Sequence, residues 1–152
     1  MKKIVIVLLG ILVLCGCSNR ASTSEEKVMT CREDLRYDIY ALTNENHIYS
    51  NDGKNVSSVR TSSVYSASFD DTDFTHVKST LEALDQDYKQ NYKDVKTNLI
   101  EEESQIVYTI EMPFNEVNKA QLKTINPDIF EGDEIPIEKY QAMLTNAGAI
   151  CQ

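Results

Sequence analysis

The sequence predicts an α+β domain, an antiparallel sheet with one long helix and a C-terminal helix packed on one face. Apolar residues alternate with polar ones near residues 35–41 and again over 95–112, the period of a half-buried strand. Phe74, Val77, Leu81, Leu84, Tyr88 and Tyr92 recur at steps of three and four and form a single helical stripe. Strand signals come first, then a helix, a hairpin and further helices. Such segregation indicates an antiparallel sheet covered on one side.

Residues 28–43 read as the first strand, with Leu35, Tyr37, Ile39 and Ala41 inward and Arg36, Asp38 and Tyr40 outward. Asp52-Gly53 is a type I′ hairpin signal, because that turn needs positive φ. Its arms would be residues 47–49 and 56–65, with residues 44–46 bulged or looped before them. Asp70, Asp71, Thr72 and Asp73 offer caps for the long helix, where negative charge also suits the helix dipole. A hairpin follows, with Val95, Thr97 and Leu99 facing one way on its first arm, and Ile106, Tyr108, Ile110 and Met112 on its second. Glu101, Glu102 and Glu103 sit at its solvated tip, where charge discourages edge pairing. Pro113 ends that arm. A short helix is expected within 115–125, with Val117 and Ala120 inward. The last helix has Pro136 in its first turn, a stripe of Ile137, Tyr140, Leu144 and Ala147, and Gly148 at the C′ position.

Ahead of this domain stands a different kind of segment. Lys2 and Lys3 precede an unbroken apolar run over residues 4–14, and no acid occurs in the first 16 residues. That is the layout of an export signal. The run is shorter than the roughly 20 apolar residues of a transmembrane helix. It closes in Leu14-Cys15-Gly16-Cys17, which resembles the lipobox of bacterial lipoproteins. The resemblance implies cleavage after Gly16 and a diacylglyceryl group on the Cys17 sulfur. A zinc or redox C-x-C is the alternative, but metal-site cysteines run C-x2-C or longer in matched sets, and no second set exists. Two acyl chains make a stable anchor where one gives only reversible binding. The expected organisation is therefore a signal peptide at 1–16, the lipidated cysteine and a polar tether at 17–27, and one domain at 28–152. As flexible coil, the tether would span roughly 15–20 Å.

The 152-residue chain carries 24 acidic against 15 basic residues, a formal charge of −9, and loss of Lys2 and Lys3 with the leader makes it more negative. This excess opposes nucleic-acid binding, which needs clustered Lys and Arg, and opposes lying flat on an anionic lipid surface. Cys31 and Cys151 remain after export. In an oxidising compartment they are a disulfide candidate that would clip the C-terminus to the first strand. Two unconnected buried thiols are the alternative.

The whole mature chain resembles the YehR-like family of small bacterial lipoproteins. The residues that carry the likeness are the lipobox at Cys17, the helix segment Thr80-Leu81-x-x-Leu84-x-x-x-Tyr88-Lys89, the hairpin after it, and Met143-x-x-x-Ala147-Gly148. The resemblance implies a compact α+β lipoprotein domain and supplies no catalytic residues. The acidic excess and the longer segment before Asp52-Gly53 depart from the family pattern.

No catalytic constellation stands out. His47 and His76 are the two histidines, and no G-x-S-x-G elbow is present. Asp70, Asp71 and Asp73 lack the spacing of a calcium loop, and helix capping explains them. Glu131, Asp133 and Glu134 approach a helix start. Of the eight tyrosines, Tyr88 and Tyr92 belong to the core-facing stripe, while Tyr40 is the candidate for an exposed contact. The expected class is a non-enzymatic, membrane-anchored extracytoplasmic binding or interaction module without cofactor, metal or nucleic acid, with an envelope protein as its partner. A small-ligand or cation receptor using the acidic loops is the second expectation, and an envelope hydrolase the third.

Overall fold

The computed structural model describes residues 24–37, 40–66 and 71–152. Its strands are β1 (Glu26–Arg36), β2 (Ala41–Ser50), β3 (Ser58–Ser66), β4 (Lys96–Glu102), β5 (Gln105–Pro113) and β6 (Ile150–Cys151). The helices are α1 (Asp71–Asn91), α2 (Glu116–Ile125) and α3 (Ile137–Asn146), with a 3-10 turn at Pro127–Ile129. The strands form one antiparallel sheet in the order β4-β5-β3-β2-β1-β6. This is the α+β architecture the sequence predicts.

Strand parity decides which side chains the helices cover. Met29, Cys31, Glu33 and Leu35 of β1 lie opposite Ile48, Asn46, Asn44 and Leu42 of β2. These lie opposite Val59, Thr61, Ser63 and Tyr65 of β3, then Met112, Ile110, Tyr108 and Ile106 of β5. Helices pack over this face at two places. Under α2, the 3-10 turn and α3 sits a core containing Ile48, Val59, Phe114, Ile129, Phe130 and Ile135. Under α1 sits a smaller core of Val77, Leu81, Ile106 and Tyr108. The opposite sheet face carries a charged row in which Glu111 lies 3.7 Å from both Arg60 and Lys96.

Several expectations need correction. The single strand over 28–43 is two strands, paired from Arg36↔Ala41 outward. Tyr37 N donates to Tyr40 O (2.9 Å) where the chain reverses. Alternation cannot cross this four-residue connection without changing phase, so Tyr37 is 51 % exposed rather than inward. Ile39 lies outside the described residues. Tyr40 is not an exposed contact: its ring packs 4.7 Å from that of Tyr37 and 5.7 Å from that of Tyr65, against the smaller core. Residues 44–46 are neither bulge nor loop but the middle of β2, paired on both sides.

The β2–β3 connection is a wider loop than a type I′ turn. Gly53 has φ +70, but Asp52 has no positive φ. Instead the Asp52 carboxylate accepts from the backbone N–H of Lys54 and Asn55 at 2.8 and 2.7 Å. These bonds to its charged form, Asn55 first, hold its pKa well below the usual carboxylate range.

In α2 the inward residue is Asn118, fully buried, while Val117 is 49 % exposed and Ala120 faces solvent. Asn118 ties three chain segments. Its Oδ1 accepts from Lys93 N (2.7 Å), and its Nδ2 donates to Lys93 O (2.9 Å) and Pro113 O (2.7 Å). Asn115 caps the helix by accepting from Asn118 N at 3.0 Å.

Pro136 is the N-cap residue of α3 rather than part of its first turn. At the other end Gly148 N donates to Thr145 O and Ala149 N to Leu144 O, both at 3.0 Å, a Schellman closure with Gly148 at φ +110. That reversal delivers β6 to β1, an edge strand without a signal of its own in the sequence. Thr30 and Gln152 exchange backbone bonds of 3.0 and 2.9 Å. Cys31 and Cys151 face each other in the adjacent pair, with sulfurs at bonding distance, 2.03 Å, and Cα atoms 4.0 Å apart. The disulfide expected from composition joins the last strand to the first.

Candidate functional site

The covered face of the sheet is apolar at both ends and polar in the middle. Along β2 the inward positions run Leu42, Asn44, Asn46, Ile48, and along β3 Val59, Thr61, Ser63, Tyr65. Glu33 completes the polar patch from β1, opposite Asn44. The patch forms the floor of a cleft of about 400 Å³. Leu84 and Tyr88 of α1, with Tyr92 just past its end, wall one side, and Tyr140 and Leu144 of α3 the other. The volume falls within the range of small-molecule sites, roughly 300–1,000 Å³.

Polar groups removed from water need partners, and those of the floor find each other. Ser63 Oγ donates to Asn44 Oδ1 (2.8 Å), and Asn44 Nδ2 donates to Glu33 Oε2 (3.3 Å). Thr61 Oγ1 donates to Asn46 Oδ1 (2.7 Å). The Asn46 amide N–H groups and Glu33 Oε1 take no part in these bonds. Gly148 passes beside the same carboxylate, so close that a Cβ there would lie 3.6 Å from Glu33 Oε1.

Two of the wall tyrosines, Tyr88 and Tyr140, have phenols held above their ordinary pKa and are donors at neutral pH. Burial, then the nearby Tyr88 hydroxyl, push the Tyr140 phenol far up. Burial, then Tyr92 and Asp87, push Tyr88 up. The Tyr88 and Tyr92 rings lie 5.5 Å apart. Tyr88 lies on the helical stripe as predicted while Tyr92 falls one residue past the helix, and both line the cleft instead of filling a core. Leu84 on the same stripe is 38 % exposed.

The other residues singled out in the sequence are scattered. Cys17 and Asp70 lie outside the described residues, and Asp73 falls in the first turn of α1. His47 is on the open sheet face, paired with Glu45 at 2.5 Å. His76 is exposed on α1, on the helix side of the sheet. The structure therefore does not bring the two histidines together. Glu101 at the hairpin tip pairs with Lys78 at 2.7 Å. Glu131, Asp133 and Glu134 pair with Lys139, Lys123 and Lys119 at 3.3, 3.0 and 2.5 Å. Among the described residues no group of three acids, histidines or cysteines could hold a metal ion, and no helix is long and apolar enough to cross a membrane.

The sequence reading missed the cleft floor. Its signal was present as alternating polar residues inside two strands, at 44 and 46 and at 61 and 63, each pair bounded by apolar residues of the same parity. No protein-family model, curated protein or solved structure matches this chain.

Proposed function

We propose that this chain is a lipid-anchored, extracytoplasmic lipoprotein of the YehR-like kind, a non-enzymatic binding module that takes a small ligand into the cleft between α1 and α3. The observation that carries the binding part is the cleft itself, about 400 Å³, polar below and tyrosine-lined at its sides. Convergent polar groups in an otherwise apolar concavity are the usual anatomy of a ligand site. The cleft is also the better place for a ligand than the acidic loops, where Glu131, Asp133 and Glu134 already face lysines. The anchoring part rests on the export signal and the lipobox at Cys17.

Ligand-observed NMR of the full chain against a chemically diverse set of small molecules tests the binding part. Binders should lose their signal transfer in Leu84→Trp, because Leu84 sits on the solvent-side wall and a larger ring there fills the cleft. A set in which nothing binds at millimolar concentration, or in which every binder ignores that substitution, contradicts the reading. Intact-mass measurement on the membrane fraction tests the anchor, which predicts a chain starting at Cys17 with fatty acyl mass added.

A further inference from the structure

We infer that the ligand of this cleft is a small organic cation, an ammonium group carrying an apolar body; the inference rests on the cleft being a binding site. Glu33 is the first observation. It is the one acidic residue in the cleft's lining, to which Lys, Arg and His contribute nothing. It is half-buried, its polar partner is the neutral Asn44 amide, and no described basic group lies within ion-pair distance of it. Arg32, its chain neighbour, points to the opposite sheet face and is bonded to Asp34 at 3.0 Å. A bound cation would supply the counter-charge that this half-buried carboxylate lacks.

The aromatic walls are the second observation. Tyr88 of α1, Tyr92 just past its end and Tyr140 of α3 line one space. Ring faces attract an ammonium group and also pack against alkyl carbon, which suits an amphipathic cation. Anionic ligands meet the reverse: Glu33 repels them, and the donors available are amides, hydroxyls and phenols. The chain's overall charge of −9 adds a long-range field that concentrates cations near it. Neutral ligands would gain the ring packing and at most a hydrogen bond to Glu33, without charge attraction. Zwitterions that carry phosphate would be penalised by it.

Two matched pairs test the inference by calorimetry on the full chain in a neutral maltoside detergent: choline against 3,3-dimethylbutan-1-ol, and phenethylammonium against 2-phenylethanol. Each cation should bind about tenfold more tightly than its neutral partner, in line with cation–π and partly desolvated charge pairing. Glu33→Gln keeps an acceptor for Asn44 and should erase most of that preference. Tyr88→Leu should weaken the cations more than the neutral partners. Phosphocholine should bind more weakly than choline. Neutral and cationic members binding equally, with Glu33→Gln silent, would overturn the cation inference and leave the cleft reading standing. Phosphocholine outbinding choline would overturn it too. Failure of all five molecules at millimolar concentration would overturn the inference, while the broader ligand set above would still decide the cleft.

Discussion

Replacement of Asn118 probes whether one buried amide holds the helix layer to the sheet. Asn118→Ala removes three hydrogen bonds of 2.7, 2.9 and 2.7 Å at a fully buried position. It leaves the Lys93 N–H, the Lys93 C=O and the Pro113 C=O without this partner. Lys93 is itself exposed and its C=O keeps the Asn115 Nδ2 donor at 3.2 Å, so the cost falls mainly on the Lys93 N–H and the Pro113 C=O, and at about 1–3 kcal/mol for each unmet group the loss should be about 3 kcal/mol. For a domain of this size that corresponds to a fall in Tm of roughly 10–15 °C. Asn118→Asp separates bonding from packing, because it barely changes volume. It keeps the acceptor toward Lys93 N but turns an oxygen toward two carbonyls where Nδ2 donated. Its loss at neutral pH should equal or exceed that of Asn118→Ala. Urea unfolding followed by far-UV circular dichroism measures both. If Asn118→Asp unfolds within about 1 kcal/mol of the parent, the side chain acts by filling space and its three-way bonding is not what stabilises the layer.

Opening the Cys31–Cys151 bridge, which spans 120 residues of sequence, should cost about 3–5 kcal/mol in the chain-entropy model, seen as a lower Tm after reduction with both thiols titrated. Stability against pH should be flat through neutrality and fall at both extremes. Asp52, Asp34, Glu45, Asp85 and Asp133 have folded pKa values below their ordinary ones, so what they contribute is present above about pH 4–5 and is lost as pH falls through the folded values. Tyr108, Tyr140, Tyr65 and Tyr88 are raised chiefly by burial, so their contribution is present below about pH 10 and is lost as pH climbs through the folded values. Thermal melts from acid to alkali should trace that plateau, and a maximum outside it would contradict these assignments. Val117→Lys should change stability by less than about 0.5 kcal/mol, since the residue faces solvent; a large loss would restore it to the core.

The long helix and the β4–β5 hairpin were legible in the sequence because each buries a regularly spaced apolar set and ends on charged or polar residues. The Cys31–Cys151 pairing was legible from the small number of thiols and from the expectation of export that the leader pattern raises. Other features hid for physical reasons. β1 ends at Arg36 and β2 begins at Ala41, and the sequence between them contains no glycine, proline or asparagine to signal a turn. α2 was read backwards because its buried residue is an amide that answers backbone groups, while Val117 and Ile125 remain in solvent. Polar residues at 44, 46, 61 and 63 looked like a loop and a partly exposed strand. They face inward, and the absence of large apolar side chains there is what leaves the cleft open between the two cores.

The most direct test is a methyl NMR titration of the full chain with choline, following Leu84, Leu144 and Met112 beside Val28 and Ile100. Shifts concentrated on the first three, which line the cleft, are the predicted result. Shifts centred on Val28 and Ile100, which are exposed, or spread evenly over all five, would place the ligand elsewhere and contradict the cleft as the binding site.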